Sequence, residues 1–303
     1  MRVGVSLRTS YAVDDPRVGV RWLVERTGAA AAAGLDLLSV GDHHATGPVA
    51  YYQNAPALGR LLAGWTGRAG ALFLLPLWHP VVVAEQVGTL ASMSAGRFVL
   101  QCGLGDPRQC RAMGVSPAER VPRFVACLDV VRRLLAGEAV TATGGPWNVD
   151  RARVAPVPPD GVEVWVGANV PAAIDRAARL GDAWYAGPGT DLDEAGAQLE
   201  LYRERCAAHG RTPSCIPIRR DVYVGASAAD VRHHVEPVVE RGHRGFPPGA
   251  LLAGTVEQVA EELHAFAGVG FTDVVVRQLV EDQRAAVASI ERLGEVRRLV
   301  LDA

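Results

Sequence analysis

The sequence predicts an α/β protein, a single (β/α)8 TIM barrel that covers residues 1–303 and carries loop excursions over its C-terminal face. Eight short runs of aliphatic and β-branched residues alternate with longer helical patterns, which is typical of parallel βαβ units. Most of these runs are continuously apolar, as expected for strands that are covered on both faces. A chain of 303 residues also has the length that such barrels commonly need.

The predicted elements alternate regularly along the chain. Strands are predicted at 2–7, 35–41, 70–76, 97–103, 162–168, 182–187, 219–225 and 273–279. Helices are predicted near 17–33, 54–65, 80–94, 117–136, 171–180, 191–209, 228–241, 255–268 and 284–300. Closing the eight strands into a barrel leaves no exposed sheet edge, whereas the alternative, an open doubly wound sheet, keeps its edges.

The residues that bound these elements agree with the assignment. Pro80 opens the third helix, where its missing N–H group costs nothing. Asn169 is a suitable N-cap for the helix at 171–180. Two segments rich in Gly and Pro, 137–160 and 241–250, are predicted to be long loops that cover the face on which barrel enzymes carry their active sites.

The charged residues exclude several classes of function. The formal net charge is −2, which offers no basic surface for nucleic acid or for an anionic membrane. All 31 cationic side chains are arginines, and this excludes both a Schiff-base lysine and a Walker-type phosphate loop. Any anionic ligand must therefore be bound by arginines, hydroxyl groups or backbone N–H groups.

The cysteines and the N-terminus indicate where the protein acts. The five cysteines are scattered and form no C-x-x-C pair, so neither a disulfide framework nor a zinc site is expected. The start, MRVGVSL, lacks the pattern of a signal peptide. The most apolar run, AGALFLLPLW, is about half as long as a membrane-spanning helix. We expect a soluble cytoplasmic protein.

The triplet Asp42-His43-His44 directly follows the second predicted strand, at the mouth of the predicted barrel. An imidazole beside a carboxylate is suited to proton transfer near neutral pH. A solvated loop is the alternative without a function. A metal site is the competing functional interpretation, but adjacent histidines on an extended segment point in opposite directions and no H-x-x-x-H pattern occurs.

Three further strand ends carry candidate residues. The fourth strand ends in LQCGLGDP, which is not a dinucleotide-binding G-x-G-x-x-G because position 108 is arginine. The fifth strand runs through Gly167, Ala168 and Asn169 into a helix N-terminus, which either binds an anion or is an ordinary helix cap. Arg277 lies inside the apolar eighth strand, so we expect it to meet an internal carboxylate or an anionic ligand.

Five segments, in chain order, together resemble the bacterial luciferase-like flavin-dependent oxidoreductases. They span nearly the whole chain: GAAAAAGLDLLSVGDHH, LPLWHPVVVAEQVGTLASMSAGRFVLQCGLG, AMGVSPAERVPRF, VWVGANVPAAIDRAARLGDAW and GTVEQVAEELHAFAGVGFTDVVVR. The resemblance implies a (β/α)8 barrel, usually assembled as a homodimer. It also implies that reduced FMN or the 5-deazaflavin coenzyme F-420 binds at the C-terminal ends of the strands.

The resemblance assigns catalytic residues. His43 matches the active-site histidine of the family, and Asp42 matches the acid that precedes it and bears on its orientation or charge. His44 is expected to point away from His43, and with Arg277 it is a candidate for contact with substrate or an anion. One departure is Leu104, which stands where luciferase has a phosphate-binding arginine.

The resemblance also assigns the cofactor site. Cofactor phosphate is expected at Gly167, Ala168 and Asn169. The remaining expected contacts lie on the third and fourth strands, where a cis non-proline peptide is expected at Ala71–Leu72 or Leu72–Phe73 and the flavin ring is expected beside Gln101, Cys102 and Gly103.

The expected function is a monooxygenase that uses reduced FMN from a separate flavin reductase and acts on a small organic substrate. A deazaflavin F-420-dependent reductase or dehydrogenase is the close alternative, which the aspartate of DHH and the lysine-free composition favour. A non-catalytic flavin-binding barrel is the alternative of another class.

Overall fold

The computed structural model describes residues 1–301. The strands, in chain order, are β1 (Arg2–Leu7), β2 (Ser10–Tyr11), β3 (Leu37–Val40), β4 (Ala50–Tyr51), β5 (Arg68–Leu74), β6 (Phe98–Gly103), β7 (Val140–Ala142), β8 (Val149–Ala152), β9 (Val162–Ala168), β10 (Ala183–Ala186), β11 (Pro217–Val224), β12 (Leu251–Gly254) and β13 (Asp273–Gln278). The helices are α1 (Pro16–Ala32), α2 (Asn54–Leu61), α3 (Pro80–Met93), α4 (Pro107–Ala112), α5 (Arg120–Leu135), α6 (Pro171–Leu180), α7 (Leu192–Ala208), α8 (Ala228–Glu240), α9 (Val256–Val269) and α10 (Gln283–Leu301).

The main sheet has the strand order β10-β9-β6-β5-β3-β1-β13-β11-β12, and β10 also pairs with β11. All eight predicted strands belong to it. The additional pairing closes the series of eight strands that alternate with helices, so the prediction of a (β/α)8 barrel is confirmed and the open doubly wound alternative is wrong.

The chain divides into two compact units. The first unit contains Met1–Arg8, Arg17–Leu38 and the residues from Trp165 onward, and the second unit contains Thr9–Pro16 and Ser39–Val164. That the whole chain is one domain stays a prediction.

In the second unit, β5 and β6 lie side by side without a shift of register, from Gly70 opposite Val99 to Leu74 opposite Gly103. Gly70 is required at this position because a Cβ atom there would lie 2.7 Å from the carbonyl oxygen of Val99. Helices α3 and α5 pack against each other, with Val83 and Phe124 among their buried side chains. This packing fixes the ends of β5 and β6, from which several candidate site residues extend.

In the first unit, β11 lies between β12 and β13 and is parallel to both. This register sets Asp221 opposite Arg277 on one side and opposite Leu251 on the other. Among the buried aromatic residues, the Trp184 ring lies 5.4 Å from the ring of Tyr202. Asp221 and Arg277 thereby lie side by side on neighbouring strands, and β11 carries two further charged residues, Arg219 and Arg220.

Several short elements were missed from the sequence. Strand β12 directly follows the segment 241–250 that was predicted as loop, and the hairpin of β7 and β8 lies inside the predicted loop 137–160. The two-residue strands β2 and β4 and the six-residue helix α4 were missed as well. Two residues are a single repeat of a strand and six residues are fewer than two turns of a helix, so neither pattern could be recognised in β2, β4 or α4.

Within residues 1–301, none of the helices combines the length and the apolar character that crossing a bilayer requires.

Candidate active site

The carboxylate of Asp42 is the buried centre of a site in the second unit. All four residues of β3 are buried, and Asp42 follows with no exposed surface. Its Oδ2 atom accepts hydrogen bonds from the backbone N–H of Leu74 and from Nε1 of Trp78, both at 2.8 Å. A buried carboxylate requires such donors, because burying its charge without a partner costs on the order of several kcal/mol.

His44 completes the surroundings of Asp42. Its Nε2 atom lies 3.2 Å from Oδ1 of Asp42, although the two groups are not aligned as a straight hydrogen bond. The imidazole also packs edge-on against Trp78, with ring centroids 5.4 Å apart. The indole and the carboxylate together hold the His44 ring in one place.

His43 is exposed and is held by a different residue, Gln109. Nε2 of Gln109 lies 3.0 Å from Nδ1 of His43, and Oε1 of Gln109 accepts a hydrogen bond of 2.8 Å from the backbone N–H of His44. The backbone donor fixes the amide orientation, so the amide nitrogen donates to Nδ1. Neutral His43 therefore carries its proton on Nε2. Its ring stands at 89° to that of Tyr51.

Asp106 fixes the position of Gln109 through two hydrogen bonds. Asp106 caps helix α4, with its carboxylate accepting from the backbone N–H of Gln109 at 2.9 Å and from its side-chain amide at 2.5 Å. The hydrogen bond from this amide lowers the pKa of Asp106. Sequence reasoning missed Gln109, but the Asp-Pro start of a helix in GDPRQC was an available signal that a side chain three residues after the cap would return to it.

The structure places the Asp42 carboxylate beside His44, and an influence of Asp42 on the orientation or charge of His43 stays a prediction. His43 is held through Gln109. The physical reason for this arrangement is the alternation of side chains on an extended segment, which places residues i and i+2 on the same side. The same alternation separates His43 from His44, as expected.

The strand-end residues predicted to contact the flavin ring divide between two faces of the sheet. Leu72 lies opposite Gln101 and Leu74 opposite Gly103, so these side chains share one face, whereas Ala71 and Cys102 point to the other. Leu72 and Gly103 keep exposed surface, while Ala71 and Cys102 are completely buried. Nε2 of Gln101 is buried and has no hydrogen-bond partner among the described residues.

The expectation of a cis non-proline peptide at Ala71–Leu72 or Leu72–Phe73 is wrong. In the described part of the chain, the cis bonds are Gly47–Pro48 and Ala155–Pro156. The bonds of β5 are trans, in agreement with its uninterrupted pairing to β6.

The predicted phosphate loop lies in the first unit, where Gly167 and Asn169 are exposed and Ala168 is buried. The N-cap of α6 is Val170 and not Asn169, because Pro171 begins the helix and forces the residue before it into an extended conformation. The side chain of Asn169 instead packs against Gly187. A Cβ atom on residue 187 would lie 2.1 Å from Oδ1 of Asn169, so only glycine fits there. No side chain caps the N-terminus of α6.

Arg277 lies in register with a carboxylate, that of Asp221, which is one of its two expected surroundings, but it makes no hydrogen bond to it. Its register partner Asp221 is buried and accepts hydrogen bonds from Arg219 at 2.8 Å, from His243 at 2.8 Å and from Arg244 at 3.1 Å. Burial alone would raise the pKa of Asp221, but the His243 hydrogen bond and the three arginine charges outweigh it and hold that pKa well below its ordinary value.

A sequence model of the luciferase-like monooxygenase family matches residues 1–249. A coenzyme F-420-dependent glucose-6-phosphate dehydrogenase of Beutenbergia cavernae is 32% identical over 217 residues, which are 65% of this chain and 60% of that protein. The chain spans about half the length of the first curated relatives that it matches, since the matched region covers 46% of each of those proteins.

Two solved structures are similar in fold. A monooxygenase from Streptomyces bottropensis superposes with a TM-score of 0.84 at 19% identity, over 97% of this chain and 98% of that one. The oxygenating component of 3,6-diketocamphane monooxygenase from Pseudomonas putida, in complex with FMN, gives a TM-score of 0.81 at 16% identity, over 97% of both chains.

Proposed function

The chain belongs to the luciferase-like monooxygenase family and is a flavin- or deazaflavin-dependent oxidoreductase, and within that class we propose that it is a reduced-FMN-dependent monooxygenase. It acts on a small organic substrate and receives its reduced flavin from a separate reductase. One observation carries the proposal: the two adjacent imidazoles are held apart, His43 exposed beside Gln109 and His44 tied to Asp42.

The residues of the second unit fit a flat heterocyclic cofactor. The face shared by Leu72, Gln101 and Gly103 offers apolar surface, a residue without a side chain and the unpaired amide nitrogen of Gln101. Such a nitrogen is a donor for a ring carbonyl, and hydrogen bonding would remove the cost of burying it unpaired. A reduced flavin bound there supplies the electrons with which O₂ is activated.

The role of His43 follows from its tautomer. With Nδ1 accepting from Gln109, the proton of the neutral ring is on Nε2, from which it is donated during turnover and to which it returns. Asp42 positions the loop, because it accepts hydrogen bonds from Leu74 and Trp78 at the end of β5, and the His44 ring packs against Trp78. The uncapped N-terminus of α6 beside Gly167, Ala168 and Asn169 supports phosphate binding there.

A deazaflavin-dependent dehydrogenase is the second candidate. The dehydrogenase of Beutenbergia cavernae and the aspartate at position 42 favour it. Bound coenzyme F-420 would supply hydride chemistry for the substrate, and His43 would take or give the accompanying proton. The same residues serve both reactions, so the cofactor decides between them.

Equilibrium titration under anaerobic conditions tests the proposal. The full chain is titrated with reduced FMN and, separately, with coenzyme F-420, and each cofactor is then tested for O₂-dependent substrate oxidation. We expect saturable binding of reduced FMN and consumption of O₂ together with substrate. Binding of F-420 with substrate turnover in the absence of O₂ would replace the monooxygenase with the dehydrogenase. Binding of neither cofactor would contradict both.

We further propose that the protein acts in the cytoplasm as a homodimer. The five cysteines are free and buried, which suits a reducing compartment. Helix α3 exposes Val82 and Met93, apolar side chains that a second copy could cover.

A further inference from the structure

Three arginines of the first unit surround one carboxylate. Arg219 and Asp221 lie on β11, Arg277 lies on β13 in register with Asp221, and Arg244 comes from the segment between α8 and β12. Arg219 and Arg244 bind the two carboxylate oxygens, which also accept a hydrogen bond from His243. We call Arg219, Arg244 and Arg277 the arginine cluster.

The arginine cluster has more positive than negative charge. Three guanidinium groups face one carboxylate, so two positive charges have no counter-charge from Asp221. Arg8 adds a fourth nearby charge, but Glu281 pairs with it at 2.7 Å. Burial, followed by the repulsion of Arg219, lowers the pKa of Arg277 to about 9, so the group is still charged at neutral pH. Enclosed charges of one sign are costly unless a counter-ion joins them.

Donors of the arginine cluster are also left unused. Nε of Arg219 is buried and has no hydrogen-bond partner among residues 1–301. Arg277 makes no hydrogen bond or ion pair within the same residues, and part of its surface is exposed. Tyr185 lies near Arg219 and Arg277: burial raises the pKa of its hydroxyl, and the charges of these two arginines act to lower it. The unused donors of buried Arg219 and of partly exposed Arg277 are suited to an incoming acceptor.

The backbone of Arg244 lies in the left-handed region. Its φ angle is +55°, a conformation that side-chain-bearing residues rarely adopt, between two glycines that are also at positive φ. Such strain is typical of residues whose position serves binding. Arg220 is not part of the arginine cluster: its guanidinium lies 4.3 Å from the Phe266 ring centroid and donates to the carbonyl oxygen of Gly187, although its Nε and Nη2 atoms also have no hydrogen-bond partner among residues 1–301.

We propose that the arginine cluster binds an oxyanion, a phosphate or carboxylate group carried by a small-molecule ligand of this enzyme. Asp221 aligns Arg219 and Arg244 through their bonds to its oxygens, and the remaining N–H groups, with those of Arg277, receive the anion. Planar guanidinium groups match the geometry of such oxyanions. The group comes either from the substrate or from the phosphate of the cofactor.

Calorimetric titration of the full chain with inorganic phosphate, at constant ionic strength and without cofactor, tests the proposal. We expect saturable binding by the wild type and binding about 10- to 100-fold weaker in Arg277→Met, the loss of one charge-assisted contact. Arg244→Gly should weaken binding similarly, and it is compatible with the positive φ at that position, so it serves if Arg277→Met does not fold. Arg298→Met removes an exposed arginine of α10 and should bind phosphate as the wild type does.

The source of the anion is distinguished by comparing FMN with riboflavin. If Arg277→Met weakens binding of FMN but not of riboflavin, the site holds the cofactor phosphate. If Arg277→Met binds inorganic phosphate more weakly than the wild type but binds FMN and riboflavin as the wild type does, the site holds the substrate anion. Equal phosphate affinity in wild type, Arg277→Met and Arg244→Gly, or no phosphate binding by the wild type, would overturn the proposal. Because the phosphate titration needs neither cofactor nor turnover, these results are independent of the proposed monooxygenase.

Discussion

Oδ1 of Asp42 lies 3.2 Å from Nε2 of His44, the residue two positions along the chain, while the intervening His43 faces Gln109. One short segment thereby presents two imidazoles in two environments. The buried side anchors the loop to Trp78 and to the end of β5, and the exposed side carries the histidine that is available for chemistry. The predictions below test these two roles separately.

Replacing Trp78 by phenylalanine should destabilise the fold by about 1.5–3 kcal/mol, because it removes one of the hydrogen bonds to the buried carboxylate of Asp42 while keeping an aromatic ring. Urea unfolding measures the change in the free energy of unfolding. Trp147→Phe is the matched control. Its Nε1 atom has no hydrogen-bond partner in residues 1–301 and its ring lies under Arg123, so the substitution should cost much less. Equal losses in the two variants would show that the Trp78 hydrogen bond is unimportant.

Replacing Gln109 by methionine should lower stability by about 1–3 kcal/mol, since the backbone N–H of His44 loses its acceptor. The substitution also removes the donor that fixes the His43 tautomer, so the pH profile of turnover should shift while cofactor affinity is retained. Gln198→Met is the control for stability, because its hydrogen bonds are long, at 3.3 and 3.4 Å. An unchanged pH profile in Gln109→Met would exclude a role for Gln109 in orienting His43.

Asp221 should make stability depend on pH in the acid range. Its folded-state pKa lies well below the unfolded value of about 4, so the unfolded chain binds the proton more readily. The contribution of Asp221 is therefore complete above about pH 4 and is lost as the pH falls toward the folded-state pKa. Chemical denaturation at several pH values should show that the stability difference between wild type and Asp221→Asn shrinks below about pH 4. A difference that stays constant from neutral to acid pH would contradict this role.

The homodimer is testable by sedimentation. At micromolar concentration we expect a mass near twice that of the 32.1 kDa chain, and Val82→Glu should shift the mass toward the monomer by placing a charge on the exposed face of α3. Val24→Glu, on the equally exposed position of α1, is the control and should leave the dimer intact. A wild-type mass near 32 kDa would contradict the proposal.

The alternation of eight apolar runs with nine helical patterns was sufficient to predict the barrel, because it is typical of repeated βαβ units. The positions of Asp42, Gly167 and Arg277 at strand ends could be predicted for the same reason. Their partners could not. Trp78 lies 36 residues from Asp42 and Gln109 lies 66 residues from His43. Local sequence patterns do not predict contacts between residues so far apart in the chain.

Two features that sequence reasoning missed have local causes. The pairing of Asp42 with His44 follows from side-chain alternation, which was applied to the histidines but not to the acid. The arginine cluster was only partly visible. Arg277 was recognised as unusual in an apolar strand, but Arg219 and Asp221 are adjacent to it only through the pairing of β11 with β13. A charged tripeptide, Arg219-Arg220-Asp221, inside a strand was the available signal.

The central claim is that His43, and not His44, is the proton-transferring residue, and turnover of the substrate at saturating cofactor tests it most directly. His43→Ala should reduce kcat by about 10²–10⁴-fold, the usual contribution of a positioned acid–base group, with cofactor affinity and folding retained. His44→Ala should reduce kcat less and lower stability more, because it removes the imidazole that faces the buried carboxylate of Asp42. Comparable kcat values in His43→Ala and wild type would contradict the account.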